Sequence, residues 1–177
     1  NHVLVLIDGM RVASATTGTF EFRNLSLGQI ERIEIVRGPR ATLYGSDAIG
    51  GVIQIFTRRP KGAAGAVGLG SYGTASAEAG LGGGRDLRGS VTTTYFGNTG
   101  FSAQNEKGGS FDPDKDGYRN RAINGMLALP LSAGTELELR GWRATSDIEF
   151  DIGESDAVNE ALSGTVRGRL ANHWSHA

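Results

Sequence analysis

From about residue 63 onward, this 177-residue chain alternates between apolar and polar side chains, and this alternation limits its fold more than any other feature. A period of two places every second side chain on the same face of a β-strand. In residues 85–97, for example, Leu87 and Val91 fall on one face, whereas Arg88 falls on the other. The pattern predicts a sheet with one apolar face and one polar face.

The alternating segments are also long, and the longest cover residues 85–97, 119–130 and 134–146. A strand that spans a membrane needs roughly 9–11 residues, whereas an ordinary strand averages about 5–6. A soluble β-sandwich binding module gives the same alternation and is an alternative interpretation. Strand length favours a transmembrane β-barrel.

The connectors between strands support the same fold. Six strands are predicted, at residues 64–71, 73–83, 85–97, 119–130, 134–146 and 159–171. Outer-membrane barrels join their strands by short turns on one side and longer loops on the other. The long connectors at residues 98–118 and 147–158 fall on the same side, and the short turns at 83–84 and 131–133 fall on the opposite side. We therefore expect both long connectors outside the membrane, with Tyr72, Tyr95, Phe96, Tyr118 and Trp142 as candidates for aromatic girdles.

Composition excludes several functional classes. The 28 glycines favour β-structure with tight turns over helices. A net charge of −1, with scattered Lys and Arg, argues against binding of nucleic acid. The chain has no cysteine, which removes thiolate metal sites and cysteine nucleophiles. Its histidines, His2, His173 and His176, lie at the chain ends away from any Ser and Asp pair, so we expect no enzyme.

The first 60 residues follow a different pattern, with compact apolar runs at residues 3–7, 30–36 and 52–56. Such runs are typical of the short strands of a small globular unit. We also expect a short helix at residues 27–31, followed by a strand at 33–37. Because the chain opens directly on a strand-like run without Met, we expect it to be a piece of a longer protein.

A motif within these residues resembles a known family. It reads Gln29-Ile-Glu-Arg-Ile-Glu-Ile-Val-Arg-Gly-Pro-Arg-Ala-Thr-Leu-Tyr-Gly-Ser-Asp-Ala-Ile-Gly-Gly-Val-Ile-Gln-Ile-Phe-Thr57. This segment, with residues 5–12 before it, resembles the plug domain of TonB-dependent outer-membrane receptors. The resemblance implies that residues 1–62 are the C-terminal part of an α+β plug. Residues 63–177 would then be the first strands, about six of roughly 22, of an antiparallel transmembrane β-barrel.

Two shorter motifs, at residues 44–51 and 97–100, resemble the cobalamin (vitamin B12) receptor branch of that family. The resemblance implies active uptake of a scarce nutrient, with a corrinoid as the ligand. A ferric siderophore or haem receptor of the same family is the alternative, because these receptors share one scaffold.

The family resemblance also implies a location and partners. The protein would lie in the outer membrane, in contact with its lipid, with the plug inside the barrel on the periplasmic side. TonB and its inner-membrane energising complex would pull on a TonB box by added-strand pairing. We expect this box to precede residue 1 in the full-length protein.

An acidic segment suggests a metal site. Asp112, Asp114 and Asp116 stand at alternate positions before a glycine, a spacing that directs several oxygens toward a hard cation such as calcium. The segment is not an EF-hand, because its twelfth position is Ile123 instead of Glu. Any ion therefore needs oxygens from elsewhere, and the connector at 147–158 is also rich in Asp and Glu.

Cobalamin receptors bind calcium with aspartates from these two loops, which orders the loops for ligand capture. The resemblance therefore implies calcium ligands at Asp112, Asp114 and Asp116, with Asp151 from the second loop. The alternative is a solvated acidic loop that binds no ion.

Overall fold

The computed structural model describes residues 3–13, 18–38, 44–45, 48–102, 107, 115–150 and 153–168. These residues form two separate sheets joined by the linker at residues 58–61. We call them the small sheet, up to residue 57, and the large sheet, from residue 62. Among the described residues, no helix is long and apolar enough to cross a membrane.

The small sheet contains strands β1 Val3–Ile7, β2 Met10–Arg11, β3 Ile30–Arg37 and β4 Gly51–Thr57, in the order β2-β1-β4-β3. β1 runs parallel to β4, whereas β3 runs antiparallel to it. Ile7 and Ile55 are completely buried, because both central strands are covered on their inner faces. The three apolar runs therefore form strands, as predicted.

The helix predicted at residues 27–31 is wrong. A single 3₁₀ turn, Leu27–Gln29, occupies its start, and β3 begins at Ile30. A similar turn, Phe22–Asn24, precedes it. β3 pairs with β4 from Ile30 onward, with a register shift between Ile30 and Arg32, so the strand leaves no room for a longer helix.

The large sheet has six strands, each paired antiparallel with the next along the chain. They are β5 Gly62–Gly70, β6 Thr74–Gly83, β7 Arg88–Asn98, β8 Tyr118–Ser132, β9 Thr135–Phe150 and β10 Gly153–Gly168. Even-numbered residues of β7, β8 and β9 face the small sheet, as the burial of Thr92, Thr94 and Trp142 shows. This matches the predicted faces. The sheet is open, with β5 and β10 at its edges.

The two ends of the large sheet differ in the turns and loops that join its strands, and we call them the upper rim and the lower rim. At one end, the upper rim, lie the turn at residues 71–73, the ends of β7 and β9 and the starts of β8 and β10. At the other end, the lower rim, residues 84–87 and 133–134 join the strands. The prediction of a long connector at 147–158 is wrong, because β9 continues to Phe150 and β10 starts at Gly153. The acidic side chains there alternate on the outward face, where water solvates them, so their charge does not end the strand.

The outward face of the large sheet carries apolar side chains that are exposed or half-buried in the described chain. These side chains, which we call the apolar band, are Val67, Leu69, Leu81, Val91, Ile123, Leu127, Leu129, Leu131, Leu137, Leu139, Leu162 and Val166. Pairing through β6 and β7 places Val67 in one cross-strand row with Arg121. The apolar band therefore runs at an angle to the rows of paired residues. The same is true in barrels whose strands tilt by roughly 35–45° from the barrel axis.

The linker passes very close to β6 at Gly82. A Cβ atom at this position would collide with the carbonyl oxygen of Pro60, whereas a Cβ at the next residue, Gly83, would meet nothing within 4 Å. Only glycine therefore lets the linker lie against the strand at Gly82.

We expect Gly82→Ala to lower the stability of the full-length protein by about 1–3 kcal/mol, because the added methyl group must displace a backbone carbonyl. The matched variant Gly83→Ala should change stability by less than about 0.5 kcal/mol. Thermal unfolding of both variants in detergent, followed by heat-modified gel mobility, measures the difference. Equal midpoints would contradict the close contact.

Candidate functional site

The small sheet packs on the inner face of the large sheet through one hydrophobic cluster. Trp142 of β9 is only 2% exposed and belongs to the same cluster as Ile7 and Ile55 of the small sheet. Its ring lies 6.3 Å from that of Phe20, centroid to centroid. The assignment of Trp142 to an aromatic girdle is therefore wrong, because its even position turns it inward.

Buried polar side chains join the two sheets around this cluster. Thr94 donates a hydrogen bond to the hydroxyl of Ser26 at 2.7 Å. The indole N–H of Trp142 donates to Oε1 of Gln29 at 3.2 Å. Asn120 donates to the carbonyl oxygen of Asn24 at 3.0 Å. Because buried polar groups require partners, these bonds fix how the small sheet docks.

Two further bonds extend the same interface. Ser146 donates to the side-chain oxygen of Asn24, and Asn124 donates to the hydroxyl of Thr57 at 3.1 Å. Thr57 is the last residue of β4, and its backbone N–H donates to Asp8 at 3.1 Å. The interface therefore reaches from the 3₁₀ turns to the start of the linker.

A charged cluster lies where the linker leaves the small sheet. Nε of Arg140 lies 2.5 Å from a carboxylate oxygen of Glu138, and the side chains are 13% and 8% exposed. Arg140 also donates to the carbonyl oxygen of Asp8. The Asp8 carboxylate lies 3.4 Å from Arg59, and Arg167 lies 3.6 Å from Glu138. The buried pair therefore connects the large sheet to the small sheet.

Aromatic side chains gather near the upper rim, on the inner side of the large sheet. The rings of Phe96 and Tyr118 lie 6.0 Å apart, and the Tyr118 hydroxyl donates to the carbonyl oxygen of Arg23 at 2.5 Å. Phe22 is half exposed beside them. These inward positions again differ from the predicted girdle, whereas Tyr95 faces outward.

A cavity of about 750 Å³ lies between the 3₁₀ turns and strands β5–β8, and the aromatic side chains contribute to its lining. Small-molecule sites are typically concave, mostly apolar and about 300–1,000 Å³ in volume. The cavity therefore has the size and character of a ligand-contacting surface. Sequence reasoning missed Phe22 as a cavity residue, because only docking of the small sheet brings it opposite β7 and β8.

Of the predicted calcium ligands, Asp112, Asp114 and Asp151 lie outside the described residues. Asp116 is described and is half-buried at the upper rim. The carbonyl oxygen of its neighbour Gly117 accepts a hydrogen bond from the backbone N–H of Glu149 at 2.9 Å. The described end of the first acidic segment thus meets the end of β9 at the upper rim.

Like charges face each other on the outward side of this rim. Asp147 stands opposite Asp156, and Glu149 stands opposite Glu154. Directly opposed like charges destabilise a sheet, and Arg119, 3.7 Å from Glu149, offsets part of this repulsion. Among the described residues, no three His, Asp or Glu side chains are arranged to hold a metal ion.

The small sheet belongs to a recognised domain type. The TonB-dependent Receptor Plug Domain family matches residues 1–52. The chain belongs to the TonB-dependent receptor family, whose members are outer-membrane proteins, and it contains plug residues followed by the first strands of an unclosed barrel sheet. This confirms the predicted family and fold class, while the boundary at residue 62 stays a prediction.

The chain is also similar to individual proteins of this family. The chain is 37% identical over 156 residues to the vitamin B12 transporter BtuB of Photobacterium profundum, covering 85% of this chain and 25% of that relative. It is 32% identical to the vitamin B12 transporter BtuB of Vibrio vulnificus, covering 97% of this chain and 29% of the relative. The chain thus spans less than a third of the curated relatives it matches.

Among solved structures, the siderophore receptor PirA from Pseudomonas aeruginosa is similar, with a TM-score of 0.64 and 26% identity. The match covers 96% of this chain and 30% of that chain. The matched proteins are receptors and transporters, which confirms the prediction that this chain is not part of an enzyme.

Proposed function

We propose that the full-length protein is a TonB-dependent outer-membrane receptor that takes up cobalamin. The identity to two vitamin B12 transporters, which extends over plug and barrel residues alike, is the observation that carries this proposal. The large sheet supports a location in the outer membrane, because its outward apolar band suits a lipid environment and its inner face is occupied by the plug.

In this proposal the ligand enters at the upper rim, which faces outside the cell. The cavity beside Phe22, Phe96 and Tyr118 offers apolar and aromatic surface to a large ring-shaped molecule such as a corrinoid. TonB and its inner-membrane complex then act on the plug from the periplasmic side. The plug is held by the hydrophobic cluster, side-chain hydrogen bonds and the linker, so it can move while the large sheet keeps its backbone pairing.

Calcium is part of the same proposal. Ligands from Asp112, Asp114, Asp116 and Asp151 would draw the segment before β8 toward the β9–β10 hairpin and order the rim for capture. The hydrogen bond between Gly117 and Glu149 supports this arrangement, because it already holds the two regions together. A cation would also offset the repulsion among the opposed carboxylates nearby.

A siderophore receptor is the second candidate. The likeness to PirA favours it, because that match covers nearly the whole chain and its sequence identity is 26%. The two candidates differ in ligand and share the scaffold, so a binding measurement separates them.

We expect the full-length receptor in detergent to bind cyanocobalamin, and removal of calcium with a chelator to weaken the affinity roughly tenfold or more, which corresponds to about 1.4 kcal/mol. Isothermal titration calorimetry with calcium and then with chelator measures both. The reason is that without calcium the ligand itself would have to order the loops at the moment of binding, which lowers affinity.

A pair of variants locates the calcium effect. Asp112→Asn together with Asp114→Asn should reproduce the effect of the chelator, whereas the control Asp86→Asn, at the lower rim, should not. Absence of cyanocobalamin binding in every condition would reject the corrinoid assignment, and ferric siderophores would be tested next. If cyanocobalamin binds with the same affinity with and without calcium, the metal site would be rejected but the corrinoid assignment would stand.

A further inference from the structure

On strands β8 and β9, the apolar band of the outward face ends below the upper rim at polar side chains. In β8 the band stops at Ile123, and the next outward residue is Arg121. In β9 it stops at Leu139, and the next outward side chain, beyond Gly141, is that of Arg143. The first outward charges met above the band on these two strands are therefore both arginines.

The register brings these two arginines together. Arg121 pairs with Thr145, and Arg143 pairs with Ile123, so the arginines are diagonal neighbours on adjacent strands. Diagonal residues on one face lie roughly 7–8 Å apart, which long side chains easily bridge. Tyr95 of β7 stands directly opposite Arg121 on the other side and also faces outward.

Nearby carboxylates neutralise these two arginines only slightly. Within the described part of the chain, Arg121 forms no ion pair. Arg143 lies 3.4 Å from Glu160, but both side chains are more than half exposed, and such exposed pairs contribute little. The four carboxylates of the β9–β10 hairpin lie further toward the rim. An anion held between the two arginines would therefore lie below these carboxylates and above the apolar side chains of β8 and β9.

We propose that Arg121 and Arg143 bind the phosphate of an acylated lipid in the outer leaflet, whose hydrocarbon chains cover the apolar band. Guanidinium groups form paired hydrogen bonds to phosphate oxygens, and two of them match the charge of one phosphate group. Tyr95 supplies an apolar ring with a polar tip, the combination favoured at a membrane interface.

The adjoining band is the reason for choosing a lipid over a free phosphate ion. Leu127 and Leu139 stand directly opposite each other beneath the arginines, and both are exposed in the described chain. A lipid joins phosphate to hydrocarbon, so one molecule satisfies both surfaces. A free phosphate ion would gain only the contacts to the arginines.

The experiment uses the full-length receptor in a neutral detergent, with lipid A, an acylated disaccharide that carries phosphate groups, as the probe. Native mass spectrometry across a lipid titration measures binding. We expect Arg121→Gln together with Arg143→Gln to weaken lipid A binding roughly tenfold or more, because two charged hydrogen-bonding groups are lost. The control Arg85→Gln removes an exposed arginine from the lower rim and should leave binding unchanged.

Two further conditions complete the test. Lipid A without its phosphates should bind the unaltered receptor as weakly as intact lipid A binds the double variant, and excess inorganic phosphate should not displace intact lipid A. Equal binding by the double variant and the unaltered receptor would overturn the proposal, as would equal binding of the dephosphorylated lipid. Displacement by inorganic phosphate would overturn the choice of a lipid. Unchanged heat-modified mobility of the variants shows that they fold.

Discussion

Replacing Trp142 with alanine is expected to weaken the docking of the plug on the large sheet and to lower the stability of the protein by about 3–5 kcal/mol. The indole is only 2% exposed, so its removal leaves a cavity at the centre of the shared cluster. Trp142→Phe should cost less, about 1–3 kcal/mol, because it fills most of the space but leaves the oxygen of Gln29 without its donor. Hydrogen exchange of the β1 and β4 amides in the full-length receptor measures the effect.

The control for this prediction lies on the opposite face of the sheet. Leu162→Ala truncates an outward side chain that is 87% exposed in the described chain, so it should leave exchange in β1 and β4 unchanged. If Trp142→Ala leaves those amides equally protected, the cluster does not hold the plug in place.

Replacing Arg140 with methionine is the second change with a large expected effect. The substitution leaves the carboxylate of Glu138, which is 8% exposed, with Arg167 as its remaining partner at 3.6 Å. Removing one member of a buried ion pair costs about 3–5 kcal/mol, because the other charge stays desolvated. The bond to the carbonyl of Asp8 is lost as well. Thermal unfolding in detergent measures the loss.

A double variant separates desolvation from lost packing. Arg140→Met combined with Glu138→Leu removes both buried charges and should recover most of the stability, because apolar pairs often replace buried ion pairs at little cost. Arg167 is 63% exposed, so it stays solvated without its partner. A double variant as unstable as Arg140→Met alone would show that the carboxylate is not the source of the loss.

The sequence predicts the large sheet well because strand periodicity is a local property. The alternation in residues 85–97 depends only on neighbouring side chains, and it locates β7 and its two faces. The prediction fails at residues 147–158, where the density of charge suggests a loop. Asp147 and Glu149 alternate with Ile148 and Phe150, so the strand pattern is present there too. Outward charge beyond the apolar band is solvated and therefore compatible with a strand.

The candidate site is less predictable, because it depends on contacts between distant residues. Asn24 and Ser146 bond to each other across the two sheets, and so do Gln29 and Trp142. For neither pair does the neighbouring sequence predict which distant residue will be the partner. The acidic residues around Asp116 are recognisable from their spacing, whereas the inward direction of Tyr118 follows only from the register of β8.

The parallel pairing of β1 with β4 has a mechanical consequence. β4 leads directly into the linker and β5, so tension applied at the amino end of β1 is resisted from the opposite, carboxyl end of β4. Parallel strands loaded in this way slide along each other, and all pairs from Val3–Gly51 to Ile7–Ile55 bear the load together. Such a shear arrangement ruptures at higher force than one that unzips pair by pair. Under such tension, the side-chain contacts between the plug and the large sheet should therefore break before the central strands of the plug separate.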